Sequence, residues 1–187
     1  MNTPKGRVSF PNVFKPRYNE LSKKEEYSIT LLFSKDADLS ALKEEAAKAC
    51  AEKWGQDKTK WPKNLRSPFR DQVEKMKDGV MPTGCEAGAM FMNLKSKQKP
   101  IVVDQKVQVI LDETEFYPGC WAIASVHCYA YDQAGNRGVS FSLNNIQKVA
   151  EGEKFSGRST AEADFAPVSG VETVSTKQKD ALDAFLN

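Results

Sequence analysis

The sequence predicts a mainly β fold, an antiparallel barrel of five strands with one helix and a long loop. Three observations lead to this prediction. Short runs of alternating apolar residues recur through the chain, a single run has helical spacing, and residues 55–88 combine Pro and Gly with little periodicity. Short strands with one helix are typical of small barrels, among which the OB fold is the expected form.

Strands are predicted where apolar residues alternate with polar ones or form short apolar runs. They occupy residues 8–14, 27–33, 89–95, 101–103, 119–131 and 138–143, with 107–111 as a continuation of the fourth. Polar residues 15–26 are expected to link the first two strands, and a turn at 132–136 is expected to link the last two.

One helix is predicted at residues 36–54, where apolar side chains follow helical spacing. Asp38 or Ser40 is the candidate N-cap, and Gly55 is the expected stop. The segment that follows, 55–88, is long for a loop of a compact domain, and such loops tend to be functional or mobile.

Length and composition favour one globular domain with an appendage. The chain has 187 residues, of which 40% are hydrophobic and 28% charged, so it can bury its own core. From Ala166 the chain is rich in small residues without a clear period, which predicts a domain at 1–166 and a flexible tail at 167–187. No apolar run approaches the roughly 18 residues that span a bilayer, and no secretory segment opens the chain, so no membrane partner and no export are expected.

Charge is distributed unevenly along the chain. Although the net charge is only +2, bases outnumber acids by five in residues 1–150, whereas acids outnumber bases by three from Glu151 onward. A basic body with a mildly acidic end is typical of nucleic-acid-binding proteins, although many unrelated proteins share it.

The sequence offers little support for catalysis, a metal or a cofactor. Its four cysteines have no Cys-x-x-Cys spacing, and its single histidine, His127, has no evident triad partner. A nuclease that uses Asp71, Asp104 or Asp112 with magnesium is an alternative, but these carboxylates match no recognisable two-metal motif. Buried, reduced thiols and a non-enzymatic function are therefore expected.

The predicted strand 119–131 has two contrasting faces, because successive side chains alternate across a strand. The first face is small and apolar: Cys120, Ala122, Ala124, Val126, Cys128 and Ala130. The second is mostly aromatic with polar tips: Trp121, Ile123, Ser125, His127, Tyr129 and Tyr131. Either the aromatic face is a platform on which nucleic-acid bases stack, or it fills the barrel core while the small face lies under another element.

Cations are interleaved with aromatic residues in two further places. They are the long loop, with Lys58, Lys60, Trp61, Lys63, Arg66, Phe69 and Arg70, and a predicted hairpin, with Lys95, Lys97 and Lys99 near Phe91 and Asn93. Such interleaving suits single-stranded nucleic acid, since cations hold phosphates and rings stack on bases. On this interpretation residues 56–72 form a mobile flap that becomes ordered on DNA; the alternatives are a solvated loop pinned by its aromatic residues and a solvated lysine turn.

A series of motifs, each weak alone but specific in this order, resembles one known family. The motifs are Arg7-Val-Ser-Phe-Pro-Asn-Val-Phe14, Tyr27-Ser-Ile-Thr-Leu-Leu-Phe33, Asn64-Leu-Arg-Ser-Pro-Phe-Arg-Asp71, Phe91-Met-Asn93, Pro100-Ile-Val-Val-Asp104, Glu115-Phe-Tyr-Pro-Gly-Cys120, Leu143-Asn-Asn-Ile-Gln-Lys148, Gly157-Arg-Ser159 and Ala161-Glu-Ala-Asp-Phe165. Together they resemble the OB-fold single-stranded-DNA-binding proteins of tailed bacteriophages, over roughly residues 5–165.

That resemblance implies an OB-type barrel that coats single-stranded DNA in phage replication, recombination or repair, without catalysis, in the cytoplasm of the bacterial host. Phage or host replication proteins are the partners expected for the tail 167–187. Two features depart from the family pattern. The predicted helix follows the second strand, which is earlier than the usual position of the helix in an OB barrel. The last eleven residues hold only two acids, fewer than the strongly acidic tails common among such proteins.

Physical reasoning, rather than the resemblance, selects the candidate DNA contacts as rings for stacking and polar or cationic groups for the backbone. They are Arg7, Arg66, Phe69, Arg70, Phe91, Asn93, Lys95, Lys97, Lys99, Trp121, Tyr129 and Tyr131. The competing function is a phage structural or assembly protein that uses a small barrel for protein contacts. It predicts an exposed apolar face and no salt-dependent binding of oligonucleotides.

Overall fold

A seven-stranded sheet with a single α-helix forms in the computed structural model, which describes residues 1–20, 22–133 and 135–155. The strands are β1 Gly6–Asn19, β2 Lys24–Leu32, β3 Arg70–Asp71, β4 Met90–Ser96, β5 Ile101–Val103, β6 Trp121–Gln133 and β7 Asn136–Ala150, and the helix is α1, Ser40–Trp54. Short 3₁₀ turns lie at Lys58–Lys60, Gln72–Lys75 and Glu113–Glu115. The predicted class, mainly β with one helix, is confirmed.

The five longer strands are joined in a ring of hydrogen bonds. β1 pairs antiparallel with β2 and β6, β2 with β4, and β6 with β7. A parallel contact between β4 and β7, at Lys95 and Ser142, closes the ring. The prediction of five strands, all antiparallel, is therefore wrong in two respects: β7 runs parallel to β4 and β5, and the short strands β3 and β5 extend the sheet.

Two strands are longer than the hydrophobic pattern predicts. The sequence predicts a polar link at 15–26, but β1 and β2 continue through most of it and pair Arg17 with Glu26. β7 likewise continues from the predicted 138–143 as far as Ala150, alongside β6. Polar pairs across an exposed ribbon stabilise such extensions without leaving an apolar signal in the sequence.

The helix α1 begins later than predicted, at Ser40 rather than residue 36. Asp38 accepts a hydrogen bond from the Ser40 backbone N at 2.9 Å, but Leu39 occupies the N-cap position, so neither candidate does. Gly55 follows the helix at φ 91°, as expected of a stop. α1 packs on β6 and β7 through Leu42, Ala46 and Cys50 on its buried face. No helix among the described residues is long and apolar enough to cross a membrane.

The small face of β6 belongs to the hydrophobic core. Ala122, Ala124, Val126 and the preceding Cys120 are at most 1% exposed, whereas Tyr129 on the other face is 44% exposed. The interpretation of the small residues as a packing face is confirmed, and the alternative in which the aromatic face fills the core is wrong. β6 thus presents its rings outward from a tightly packed base.

The four cysteines are free thiols, and three of them, Cys50, Cys120 and Cys128, lie in or against the hydrophobic core. Burial raises the pKa of the Cys50 and Cys120 thiols. It also raises the pKa of Cys128 to about 11, helped by the negative charges of nearby groups on α1. Because only the thiolate is a strong nucleophile or metal ligand, these side chains behave as packing residues.

Candidate nucleic-acid interface

The contact between β4 and β7 creates a groove of about 680 Å³, which we call the lysine–tyrosine groove. The polar and aromatic side chains that line it are Glu26, Lys95, Ser96, Lys97, Gln98, Lys99, Tyr129, Ser142, Asn144 and Asn145. They come from β2, from the end of β4 and the turn after it, from β6 and from β7. The structure therefore brings the predicted lysine triple and one predicted stacking ring to the same place.

Tyr129 is the aromatic residue that lines the groove, and a second tyrosine of β6, Tyr131, lies next to it. The Tyr129 and Tyr131 ring centroids are 6.4 Å apart, and their planes meet at 52°. Tyr131 lies opposite Gly138 of β7, where a Cβ would stand 2.8 Å from the Tyr131 hydroxyl and 2.5 Å from the Arg66 carbonyl oxygen. Because residue 138 has no side chain, Arg66 can lie beside Tyr131.

The loop around Arg66 is held against β7 by its backbone. The Arg66 N–H donates to the Arg137 carbonyl oxygen at 2.9 Å, and the Val139 N–H donates to the Arg66 carbonyl oxygen at 3.1 Å. Trp61 is a second fixed point, since its indole N–H donates to a backbone carbonyl at 2.8 Å. The Arg66 side chain is exposed. That residues 56–72 become further ordered on DNA stays a prediction.

The groove carries both balanced and unbalanced charge. The Lys95 ammonium lies 3.4 Å from a Glu26 carboxylate oxygen. Burial acts to raise the pKa of Glu26, but hydrogen bonds from Asn19 and a neighbouring serine, and the charge of Lys95, outweigh it, so the pKa lies below its ordinary value. Lys97 and Lys99 form no salt bridge within the described part of the chain. These two lysines are free to attract an anion.

Asn93 and Phe69 differ in the solvent exposure of their side chains. Asn93 is exposed on β4, two residues before Lys95, and accepts a hydrogen bond from the Thr30 hydroxyl at 2.7 Å. It extends the polar surface beside the groove toward β2. Phe69 is half-buried and packs edge-on against the buried Phe141, with centroids 6.1 Å apart. Much of the Phe69 ring therefore serves packing.

Phe91, a predicted stacking ring, is only 2% exposed, so little of the ring is available to a base. The Arg70 guanidinium and the Lys75 ammonium cover it, at 4.9 Å and 4.4 Å from the ring centroid. Arg70 also donates two hydrogen bonds to Glu74, at 2.6 Å and 2.9 Å. Arg70 and Phe91 form a packed unit, and neither lines the lysine–tyrosine groove.

Arg7 and Trp121 meet at the pairing of β1 with β6. The Arg7 guanidinium donates to the carbonyl oxygens of Gly119 and Glu153, at 2.5 Å and 2.6 Å. It also lies 5.3 Å from the Trp121 ring centroid and 4.7 Å from that of Phe155. These contacts hold residues 151–155 against the sheet. Arg7 and Trp121 are thus engaged within the fold and do not line the groove.

Sequence reasoning missed several residues that line the groove, and it also missed Phe10, which lies elsewhere on the sheet. Ser142, Asn144 and Asn145 line the groove, but single polar residues on a strand carry no signal of a site. Phe10 is 67% exposed at φ 48°, where β1 has an irregular register. The available signal was Pro11, which cannot donate to a ladder and so favours a bulge.

The carboxylates that suggested a nuclease have local structural roles. Asp71, Asp104 and Asp112 each accept backbone N–H groups in turns. The hydrogen bonds from Thr114 hold the pKa of Asp112 below its ordinary value. Among residues 1–20, 22–133 and 135–155, no three His, Cys, Asp or Glu side chains are grouped so as to hold a metal ion.

Comparison with known proteins assigns the family. The family described as the ssDNA-binding protein of Enterobacter phage Enc34 matches residues 1–181. The chain belongs to this family. The predicted resemblance to phage single-stranded-DNA-binding proteins is thereby confirmed. A relative, protein p50 of the Acyrthosiphon pisum secondary endosymbiont phage 1, is 28% identical over 164 residues, which cover 83% of this chain and 85% of the relative.

Solved structures of phage proteins share the fold. The single-stranded DNA-binding protein from bacteriophage Enc34, solved in complex with ssDNA, matches with a TM-score of 0.66 at 22% identity, covering 83% of this chain and 88% of that one. The single-stranded DNA-binding protein gp2.5 of bacteriophage T7 matches with a TM-score of 0.57 at 17% identity, covering 93% and 98%.

Proposed function

We propose that this protein binds single-stranded DNA without catalysis and with little dependence on sequence, and that the lysine–tyrosine groove is part of the interface. The observation that carries the proposal is the meeting of the exposed Tyr129 ring with Lys97 and Lys99 in one groove. Every base offers a face for stacking and every nucleotide a phosphate, so neither contact reads sequence. Membership of the phage ssDNA-binding family supports the same function.

The contacts divide into stacking and phosphate binding. A base stacked on Tyr129 or Tyr131 contributes roughly 1–3 kcal/mol to the free energy of binding. Each neutralised phosphate makes the slope of log K against log salt concentration more negative by about 0.7. Lys97 and Lys99 are the main phosphate contacts, because Lys95 is already paired with Glu26. Asn93, Asn144, Asn145 and Arg66 supply further polar contacts around the groove.

The remaining predicted contacts are proposed to act through the fold. Phe91 and Arg70 support the surface beside β4, and Phe69 packs under the loop. Arg7 and Trp121 hold the chain that follows β7. Their substitution is expected to change stability first and DNA binding second.

The architecture supports an OB-like barrel as the framework. The ring β1–β2–β4–β7–β6, with its parallel closing contact, contains five strands, and α1, β3 and β5 are additions to it. OB folds bind oligonucleotides on the face of their second and third strands, which correspond here to β2 and β4 in ring order. Asn93 and Lys95 project from β4 on that face.

Membership of the family supports a proposed biological setting. We place the protein in phage DNA replication, recombination or repair, in the cytoplasm of the infected bacterium. Contacts with phage or host replication proteins are assigned to the tail 167–187, which lies outside the described residues. The domain boundary at 166 also stays a prediction.

A titration tests the function directly. Labelled single-stranded DNA, duplex DNA and RNA of equal length are titrated with the protein at two salt concentrations. Single-stranded DNA is expected to bind more tightly than duplex, and its affinity is expected to fall as salt rises because bound lysines displace condensed cations. Equal affinity for duplex and single strands, or an affinity that does not change with salt concentration, would contradict the proposal.

A pair of double variants tests the groove. Lys97→Gln with Lys99→Gln is expected to weaken binding of all sequences alike and to flatten the salt slope by about 1.4, which is two phosphates at about 0.7 each. The matched control is Lys43→Gln with Lys53→Gln, which removes the same charge from exposed positions of α1. If the control flattens the slope equally, only net charge matters and the groove has no special role.

A further inference from the structure

A second cavity, which we call the apolar cleft, lies beside β1 and has a volume of about 660 Å³. Its apolar lining includes Phe10, Met76, Pro82, Pro118 and Phe155. Ligand pockets in proteins are commonly of this size, mostly apolar, with a few polar groups that orient the ligand. None of these residues belongs to the lysine–tyrosine groove.

Phe10 has an unusual conformation for its position. Its backbone has φ 48°, which is a strained conformation for a residue with a large side chain. Its side chain is nevertheless 67% exposed, so burial of the ring does little to offset that strain. Strained residues of this kind concentrate at ligand clamps and other functional sites. The packing of the protein alone therefore gives no reason for an aromatic residue here.

Two cations accompany the ring. The Lys75 ammonium lies 5.4 Å from the Phe10 ring centroid, and Lys77 also lines the cleft. Glu74 also lines the cleft, but its carboxylate accepts both hydrogen bonds from Arg70, which balances its negative charge. Burial lowers the pKa of Lys75, and an ammonium that has lost part of its hydration gains more from an anionic partner.

A polar row connects the apolar cleft with the lysine–tyrosine groove. Ser9 lines the cleft and pairs with Thr30 of β2, which pairs with Asn93 of β4. Two strand spacings separate Ser9 from Asn93, about 10 Å, and Lys95 of the groove follows about 7 Å further along β4. Ser9 and Thr30 are themselves only 9% and 7% exposed, so the row gives the direction and length of the path rather than a line of contacts. Its length lets one extended single strand reach both sites across the outer face of β1, β2 and β4.

We propose that the apolar cleft takes one unstacked base of the single strand, with the base against the Phe10 ring and the adjoining phosphate at Lys75 and Lys77. The apolar wall and the cations match the two parts of a nucleotide. This inference rests on the proposed function and adds to it a base subsite, with the ring and the cations that form it.

The strained backbone provides a direct test. Phe10→Gly removes the ring and at the same time suits the positive φ, so the variant is expected to melt no earlier than the wild type while binding labelled oligothymidine about 5- to 150-fold more weakly. The matched control is Val107→Gly, at φ 63° and 70% exposed, which relieves a similar strain away from the cleft. Its DNA affinity is expected to equal that of the wild type.

Further variants keep the test decisive if Phe10→Gly melts early. Phe10→Trp retains a ring and is expected to bind oligothymidine like the wild type, whereas Phe10→Leu retains apolar bulk without a ring and is expected to bind more weakly. Wild-type affinity in both Phe10→Gly and Phe10→Leu, or equal losses in Phe10→Leu and Phe10→Trp, would overturn the subsite. Absence of binding by the wild type itself would instead overturn the proposed function.

Discussion

Alanine substitutions at Tyr129 and Phe91 are expected to separate DNA binding from stability. Tyr129→Ala removes a stacking ring that is 44% exposed. Loss of one stacked base costs about 1–3 kcal/mol, which raises the Kd for single-stranded DNA about 5- to 150-fold. Because nearly half of the ring is already in water, the free energy of unfolding is expected to fall by only about 1–2 kcal/mol, below the 3–5 kcal/mol typical of buried aromatic truncations.

Phe91→Ala is expected to show the opposite pattern. The ring is 2% exposed and is covered by Arg70 and Lys75, so truncation leaves a cavity and two cations without their aromatic partner. The free energy of unfolding is expected to fall by about 3–5 kcal/mol, which corresponds to roughly 6–20 °C in Tm for a protein of this size. The affinity of the folded variant for single-stranded DNA is expected to change less than that of Tyr129→Ala.

Urea unfolding gives the stability, and fluorescence anisotropy of a labelled oligothymidine, measured well below the melting transition, gives the affinity. If Phe91→Ala is too unstable to assay, Phe91→Leu retains most of the side-chain volume and serves in its place. A stable Phe91 variant that binds poorly, together with a Tyr129→Ala protein that binds normally, would refute the assignment of the two rings.

Three further outcomes are expected. Gly138→Ala should destabilise the protein by more than about 2 kcal/mol in urea, because its Cβ would stand 2.5 Å from the Arg66 carbonyl oxygen; wild-type stability would show that the loop can move away freely. Glu26→Gln should reduce the loss of stability in acid. Because the pKa of Glu26 is lowered in the folded protein, its charged form stabilises the fold above the ordinary glutamate pKa, and this stabilisation is lost as the pH falls through the lowered pKa. Unchanged acid melting curves would argue against this. Deleting residues 167–187 should leave Tm unchanged and modestly raise DNA affinity at low salt if the acids of this tail compete with DNA, whereas a clear drop in Tm would mean that the tail packs on the domain.

The faces of a strand and the position of a helix could be predicted from the sequence, because they depend only on the spacing of residues that are near one another in the chain. Strict alternation along β6 identified both the small packing face and the ring-bearing face. Helical spacing ended by Gly55 identified α1, and the short apolar run Ile101–Val103 identified β5 with its correct bounds. The ordered motifs also identified the phage family, because a series of weak matches in one order is specific.

The openness of each ring could not be predicted in this way. Phe91 and Tyr129 both lie on strands, and both have cations near them, either in the sequence or in the fold. Phe91 is covered by Arg70 of β3 and Lys75 of the 3₁₀ turn that follows it, whereas Tyr129 borders a groove. Exposure is set by segments distant in the chain that fold over a residue, and local periodicity contains no information on them.

The lysine–tyrosine groove itself is a product of chain topology. Its lysines follow β4 and its tyrosine lies on β6, and they face one another because β4 pairs in parallel with β7 while β7 pairs with β6. Phe10 likewise acquires its exposed, strained position from the register shift in β1. Residue types that suit single-stranded DNA are visible in the sequence, but their convergence depends on long-range strand pairing, which is settled only when the whole sheet packs around its core.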